Sequence, residues 1–168
     1  RTRSKLSADL GPAIAPFNAF LVLQGVQTLS LRMDRHVSNA AAVATWLDAH
    51  DQVEHVHYAG LPDSPWHHLQ QRYVPKGPSA VLSFDLAGGV AAGQRFVAAL
   101  ELFDHVSNLG DVRSLVVHPA STTHVQMTSA ERAAAGVGDG LIRLSIGLEH
   151  IDDITADLAR GFTAAAAG

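Results

Sequence analysis

Between Leu141 and Glu149 the chain alternates almost residue by residue: Leu-Ile-Arg-Leu-Ser-Ile-Gly-Leu-Glu. Successive side chains of a β-strand point to opposite faces, so a period of two reads as a strand. Ile142, Leu144, Ile146 and Leu148 then line one apolar face, while Arg143 and Ser145 leave on the other beside Leu141 and Gly147. An apolar sheet face has to be covered by a second layer, which commits the chain to a layered fold. A single charge on a strand is most often a solvated surface group. A guanidinium fixed in mid-strand is equally a preset bidentate partner for a carboxylate or phosphate.

The covering layer is legible elsewhere. Phe17, Phe20, Leu21, Leu29, Met33, Val37, Ala40, Ala44 and Leu47 recur at three- and four-residue steps, predicting one helix from Phe17 to about His50 behind a Gly11-Pro12 and Pro16 leader. At 1.5 Å per residue such a helix spans roughly 50 Å, longer than a small domain needs. Val53 to Tyr58 and Ala80 to Leu86 alternate as strands, with a Pro/Gly-rich loop and a short helical turn near Trp66–Tyr73 between them. Ala91 to Phe103 reads as an amphipathic helix, and short strands follow at about 105–108 and 114–117. Thr128-Ser129-Ala130-Glu131 has capping-box spacing ahead of a helix stopping at Gly136. Ile151, Ile154, Leu158 and Phe162 stripe a last helix whose first turn holds Asp152 and Asp153, where the helix dipole favours acids. The expectation is an α+β domain with helices on one face of a mostly antiparallel sheet, the bare face carrying Arg143, Ser145 and Ser114.

Composition removes several classes of function. With 168 residues, 47% of them hydrophobic, the chain can bury one substantial core and is too apolar for disorder. A net charge of −4 with scattered basic residues leaves no footprint for nucleic acid. No apolar run approaches the roughly 20 residues needed to cross a bilayer. The absence of cysteine removes disulfides and thiolate metal sites and suits a reducing, cytoplasmic setting.

Upstream of the Arg143 strand, Ser107-Asn108-Leu109-Gly110-Asp111 leads into Ser114-Leu115-Val116-Val117 and then a loop rich in hydroxyls and imidazoles, His118 to His124. Polar loops at strand ends are where binding groups concentrate. The runs SNLGDVRSLVVHPASTTH and GLIRLSIGLEHIDDI, with GPAIAPFNAFLVLQGVQTLSLRMDRHVSNA and YAGLPDSPWHHL before them, resemble the C-terminal part of the Cys/Met-metabolism family of pyridoxal-phosphate enzymes. Within that family they look most like its O-acetylhomoserine sulfhydrylase branch, and Asn108 stands where several sister branches carry serine.

The resemblance implies the small C-terminal domain of an aspartate-aminotransferase-like fold over 51–168, preceded by a leader and interdomain helix over 1–50. It implies pyridoxal phosphate as cofactor, an acyl-homoserine and sulfide as substrates, and a homotetramer. Arg143 matches the arginine that holds the substrate α-carboxylate, and Asn108 and Thr123 match positions lining the same pocket. Catalysis in the family needs a Schiff-base lysine in a motif upstream of the matched region. Lys5 and Lys76 are the lysines here and neither lies in such a motif. The chain also starts on arginine. It is therefore expected to be a piece without the cofactor-binding large domain, with no catalytic or cofactor-binding residue of its own and inactive alone.

Ten histidines invite a metal reading. His55 and His57 share a strand face, and His67-His68 and His118 with His124 offer further pairs, but no acid completes a convincing ligand set, and no metal site is expected. Arg32, Arg35 and His36 on the long helix read as an interface or domain-contact face, a role the sequence does not separate from simple solvation. Two rivals stand beside the sulfhydrylase: a cystathionine synthase or lyase, or methionine γ-lyase, of the same family, and a stand-alone amino-acid-binding regulatory module using the same arginine.

Overall fold

The computed structural model describes residues 10–167, so Lys5 and most of the leader lie outside it. In chain order the elements are α1 (Pro16–Gln27), α2 (Leu29–Asp48), β1 (Val53–His57), α3 (His67–Tyr73), β2 (Val81–Leu86), α4 (Gly89–Ala99), β3 (Asp104–His105), β4 (Leu115–Val117), α5 (Ser129–Ala134), β5 (Leu141–Ser145) and α6 (Ile151–Ala166), with a 3₁₀ turn at Pro119–Ser121. The strands form one sheet in the order β1-β2-β5-β4-β3. Every neighbouring pair is antiparallel except β3 and β4. The α+β class read from the sequence is therefore the observed one.

Alternation sets which face of the sheet is buried. Leu82, Phe84 and Leu86 of β2 and Ile142 and Leu144 of β5 are at most 3% exposed, and they join Val56 and Val116 in a single core. Helices close it from one side: the Phe84 ring lies 5.7 Å from both Phe96 of α4 and Phe162 of α6, which meet edge-to-face at 5.0 Å. Trp46 of α2 packs 5.8 Å from the same Phe162 ring. The close approach of α4 and α6 depends on Gly161, where a Cβ would press on Phe96 and Leu100. At α5 the capping box forms as its spacing implied, with Thr128 accepting from the Glu131 amide and Glu131 from the Thr128 amide.

Two expectations about the long N-terminal helix are corrected. The helix predicted over 17–50 is two, separated at Thr28 (φ −103°, ψ 6°). Gly25, Val26 and Thr28 are weak helix formers in close succession, and the Arg32 guanidinium donates to the Gly25 carbonyl. The chain forms two compact units that divide between Arg32 and Met33. His36, Asn39, Ala40, Val43, Ala44 and Leu47 of α2 are buried, so most of that helix belongs with the sheet. His36 in particular is no contact-face residue: its Nδ1–H donates to the Ile146 carbonyl at 2.7 Å. In the first unit α1 buries none of its residues, and Phe17, Phe20, Leu21, Leu23 and Val26 stand at least half exposed.

The helix expected to run to Phe103 stops at Ala99, and Leu100 turns extended (φ −72°, ψ 140°). The cause lies 54 to 56 residues downstream in sequence. The buried carboxylate of Asp157 in α6 accepts from the amides of Glu101 (2.9 Å), Leu102 (3.0 Å) and Phe103 (3.3 Å), donors that no continuing helix would leave free.

β1 is an edge strand, and its register to β2 slips between Val53 and His55. Glu54, His55 and His57 on it are exposed.

Candidate functional site

β5 runs between β2 and β4, and the register places Ser83 and Val117 on either side of Arg143. Since Ile142 and Leu144 point into the core, Arg143 must emerge on the face that α4 and α6 do not cover, where it is half-buried. Its Nη2–H donates to the main-chain carbonyl of Asn108 at 3.0 Å. Among the described residues no Asp or Glu pairs with it. An arginine has five N–H donors in a planar fork, so one carbonyl contact orients the group without consuming it.

That face is not bare throughout. Ser145 is 2% exposed, and its hydroxyl accepts from the Gly110 amide at 3.3 Å. Ser114, expected beside Arg143, is fully buried and bonded to Glu149. Both serines therefore serve the loop running over 106–113, whose cover sequence alternation does not register.

Asn108 and Arg143 are brought together, though through a carbonyl that any residue would supply, and the Asn108 side chain is exposed. Thr123 stands exposed after the 3₁₀ turn, its hydroxyl sharing a 2.8 Å hydrogen bond with His124 Nδ1. No hydrogen bond joins it to Arg143 or Asn108 among the described residues. At the outer base of the loop Arg113 pairs with Asp104 (2.6 Å) and Asp111 (3.2 Å), and its hydrogen bonds hold the Asp111 carboxyl below the usual carboxylate range. A concavity of about 470 Å³ lies elsewhere on the domain, lined by Glu54, His57, Asp85, Gly88 and Asp139 and not by Arg143.

The histidines are largely committed to protein partners. His57 donates to Asp85 at 2.7 Å, and His67 bonds the Ala59 carbonyl. Among the described residues no three His, Asp or Glu side chains gather as a metal would require. His118 is fully buried: its Nε2–H donates to the Asp139 carbonyl (2.9 Å), so Nδ1 accepts from the Ser121 hydroxyl (2.8 Å). Burial is the main cause holding its pKa below the ordinary 6.5, and the charges of His105 and Arg132 act in the same direction. A histidine depressed in the folded state takes up a proton on unfolding, so its contribution is intact above about pH 6.5 and is lost as pH falls below it. Urea unfolding of the domain at pH 7.5 and pH 5.5 is expected to show a lower midpoint in acid, with a smaller drop in His118→Gln. An equal drop in both would remove His118 from the account.

The profile of the family described as Cys/Met metabolism PLP-dependent enzyme matches residues 1–163. The chain belongs to that family. It is 49% identical over 150 residues to O-acetyl-L-homoserine sulfhydrylase 1 of Thermus thermophilus, covering 89% of this chain and 36% of that protein. It is 48% identical over 164 residues to the O-acetyl-L-homoserine sulfhydrylase of Corynebacterium glutamicum, covering 98% and 38%. An L-methionine gamma-lyase of Pseudomonas putida is 45% identical over 156 residues, covering 93% and 39%. Among solved structures, an O-acetylhomoserine (thiol)-lyase from Campylobacter jejuni holding pyridoxyl-lysine phosphate superposes with a TM-score of 0.86 at 40% identity, over 97% of this chain and 39% of that one. A cystathionine gamma synthase from Xanthomonas oryzae pv. oryzae gives 0.81 at 47% identity, over 93% and 40%.

The chain thus spans little more than a third of the relatives it matches. The cofactor of this PLP-dependent family calls for a lysine partner and a phosphate cradle. Among the described residues the lysine is Lys76, exposed in the turn after α3, and no cavity described above includes it. These residues do not fit the cofactor.

Proposed function

We propose that the protein carrying this chain is a pyridoxal-phosphate-dependent acyl-homoserine sulfhydrylase, a transferase converting O-acetylhomoserine and sulfide to homocysteine and acetate. In this reading the cofactor supplies the electron sink. This chain supplies the grip on the amino acid: Arg143 binds the α-carboxylate with the donors that Asn108 leaves free, while Asn108 and Thr123 line the pocket. The observation that carries the reading is a guanidinium on the uncovered sheet face, oriented by a neutral carbonyl and free of any acid among the described residues. The 48–49% identity to O-acetyl-L-homoserine sulfhydrylases supports the choice of reaction. The exposed apolar residues of α1 support a connecting and assembly role for segment 1–50, against a cofactor-binding domain and in a homotetramer.

A second reading, γ-elimination, is favoured by the 45–46% identity to methionine gamma-lyases. Assay of the full-length protein with O-acetyl-L-homoserine separates the two. The sulfhydrylase forms homocysteine only when sulfide is added and releases no ammonia. Ammonia and a 2-oxo acid formed from methionine without sulfide would replace this proposal with the lyase.

A further inference from the structure

We infer that Glu149, six residues beyond Arg143 on the same segment, is a positioning residue for the carboxylate grip, acting through the loop over 106–113. The inference rests on the functional reading above and assigns a part to a residue that reading leaves idle.

The geometry forms a chain of contacts. Past β5 the backbone turns at Gly147, and the Glu149 side chain folds back under the loop's far end. Its Oε1 accepts from the Ser114 amide at 2.7 Å and its Oε2 from the Ser114 hydroxyl at 2.9 Å. The same hydroxyl oxygen accepts from the Gly147 amide at 2.9 Å. The Leu148 amide donates to the Val112 carbonyl at 2.8 Å. Asn39 of α2 braces the turn, its Nδ2 donating to the carbonyls of Gly147 and Glu149, both at 3.0 Å. A side chain at Gly147 would overlap Glu149 Oε2 and the Ser114 nitrogen, so the turn is shaped around this carboxylate. Nearer the loop's middle, Ser145 takes the Gly110 amide.

The loop end is thereby tied to the strand that carries Arg143, and the loop returns the favour through the Asn108 carbonyl on Nη2. A carboxylate grip depends on the direction of a planar fork, because two parallel N–H bonds must meet two oxygens. Glu149 sets where that carbonyl stands, and so sets the fork, without touching substrate.

The test uses the full-length protein with pyridoxal phosphate, varying O-acetyl-L-homoserine at fixed sulfide. Glu149→Ala is expected to raise KM about tenfold with kcat changed by less than about twofold, the pattern of lost ground-state and transition-state binding alike. Glu149→Gln keeps an oxygen for the Ser114 amide and is expected to bring KM back to within about threefold of the parent. Ser145→Ala, which removes only the Gly110 tie and a small buried hydroxyl, is expected to raise KM about threefold and serves if Glu149→Ala folds poorly. Faster hydrogen exchange at the Gly110 amide in each alanine variant accompanies the rise. Arg143→Ala is the reference arm. If it raises KM while Glu149→Ala and Ser145→Ala leave KM unchanged, the positioning role is overturned and the carboxylate reading stands. If Arg143→Ala itself leaves KM unchanged, the carboxylate reading falls and this inference falls with it. A matching loss of kcat and stability with no effect on KM, unrescued by Gln, assigns Glu149 to structure alone and overturns the inference.

Discussion

Arg143→Ala in the full-length protein is expected to lower kcat/KM for the amino-acid substrate by two to three orders of magnitude. Removing one member of a bidentate, charge-assisted pair in a closed site costs about 3–4 kcal/mol, which is about a 100- to 1,000-fold change. The fold should barely register the change. Arg143 is half-buried and makes one side-chain hydrogen bond, to a main-chain carbonyl, so the melting temperature is expected to move by no more than about 2 °C. Arg143→Lys keeps the charge but not the fork, and recovers only part of the loss. Steady-state kinetics with O-acetyl-L-homoserine check this directly, and wild-type kcat/KM in the alanine variant would end the carboxylate reading.

Asp157→Ala is expected to bring the largest loss of stability. That carboxylate is 3% exposed, accepts from three consecutive amides and also meets Arg160 at 3.1 Å. Hydrogen bonds to a charged group contribute roughly 1.5–3 kcal/mol each and are not additive, so a total of about 3–4 kcal/mol is expected. For a domain of this size that is about 10 °C in melting temperature. Asp157→Asn retains an acceptor and should lose about half as much. Thermal unfolding followed by circular dichroism measures both. A shift of under about 2 °C for the alanine variant would mean that the amides find other partners.

These two residues differ in how visible they are in sequence. Arg143 announces itself because the apolar period around it fixes the face it leaves by, and β2, β5, α5 and α6 all form close to where periodicity and capping place them. Asp157 does not, since three amides 54 to 56 residues away decide its role. The same long range stops α4 four residues short of Phe103, where its periodicity alone would carry it. Alternation places Ser114 on the bare face because it carries no information about Glu149 closing over it. Asn108 was singled out by its side chain, whereas the contact made is through its carbonyl, an atom whose position only the folded loop specifies. The parallel pairing of β3 with β4 was likewise out of reach, as strands of two and three residues carry too little pattern to state a direction.

The edge at β1 has a consequence for how this domain behaves at high concentration. A row of unpaired amides and carbonyls along an outer strand invites a stranger's strand to dock. Here the rim is short, slipped in register at Val53–His55, and its exposed side chains are a glutamate and two imidazoles. Such a border is awkward for another chain to copy, and the sheet ends there instead of growing into the ribbons from which fibrils start.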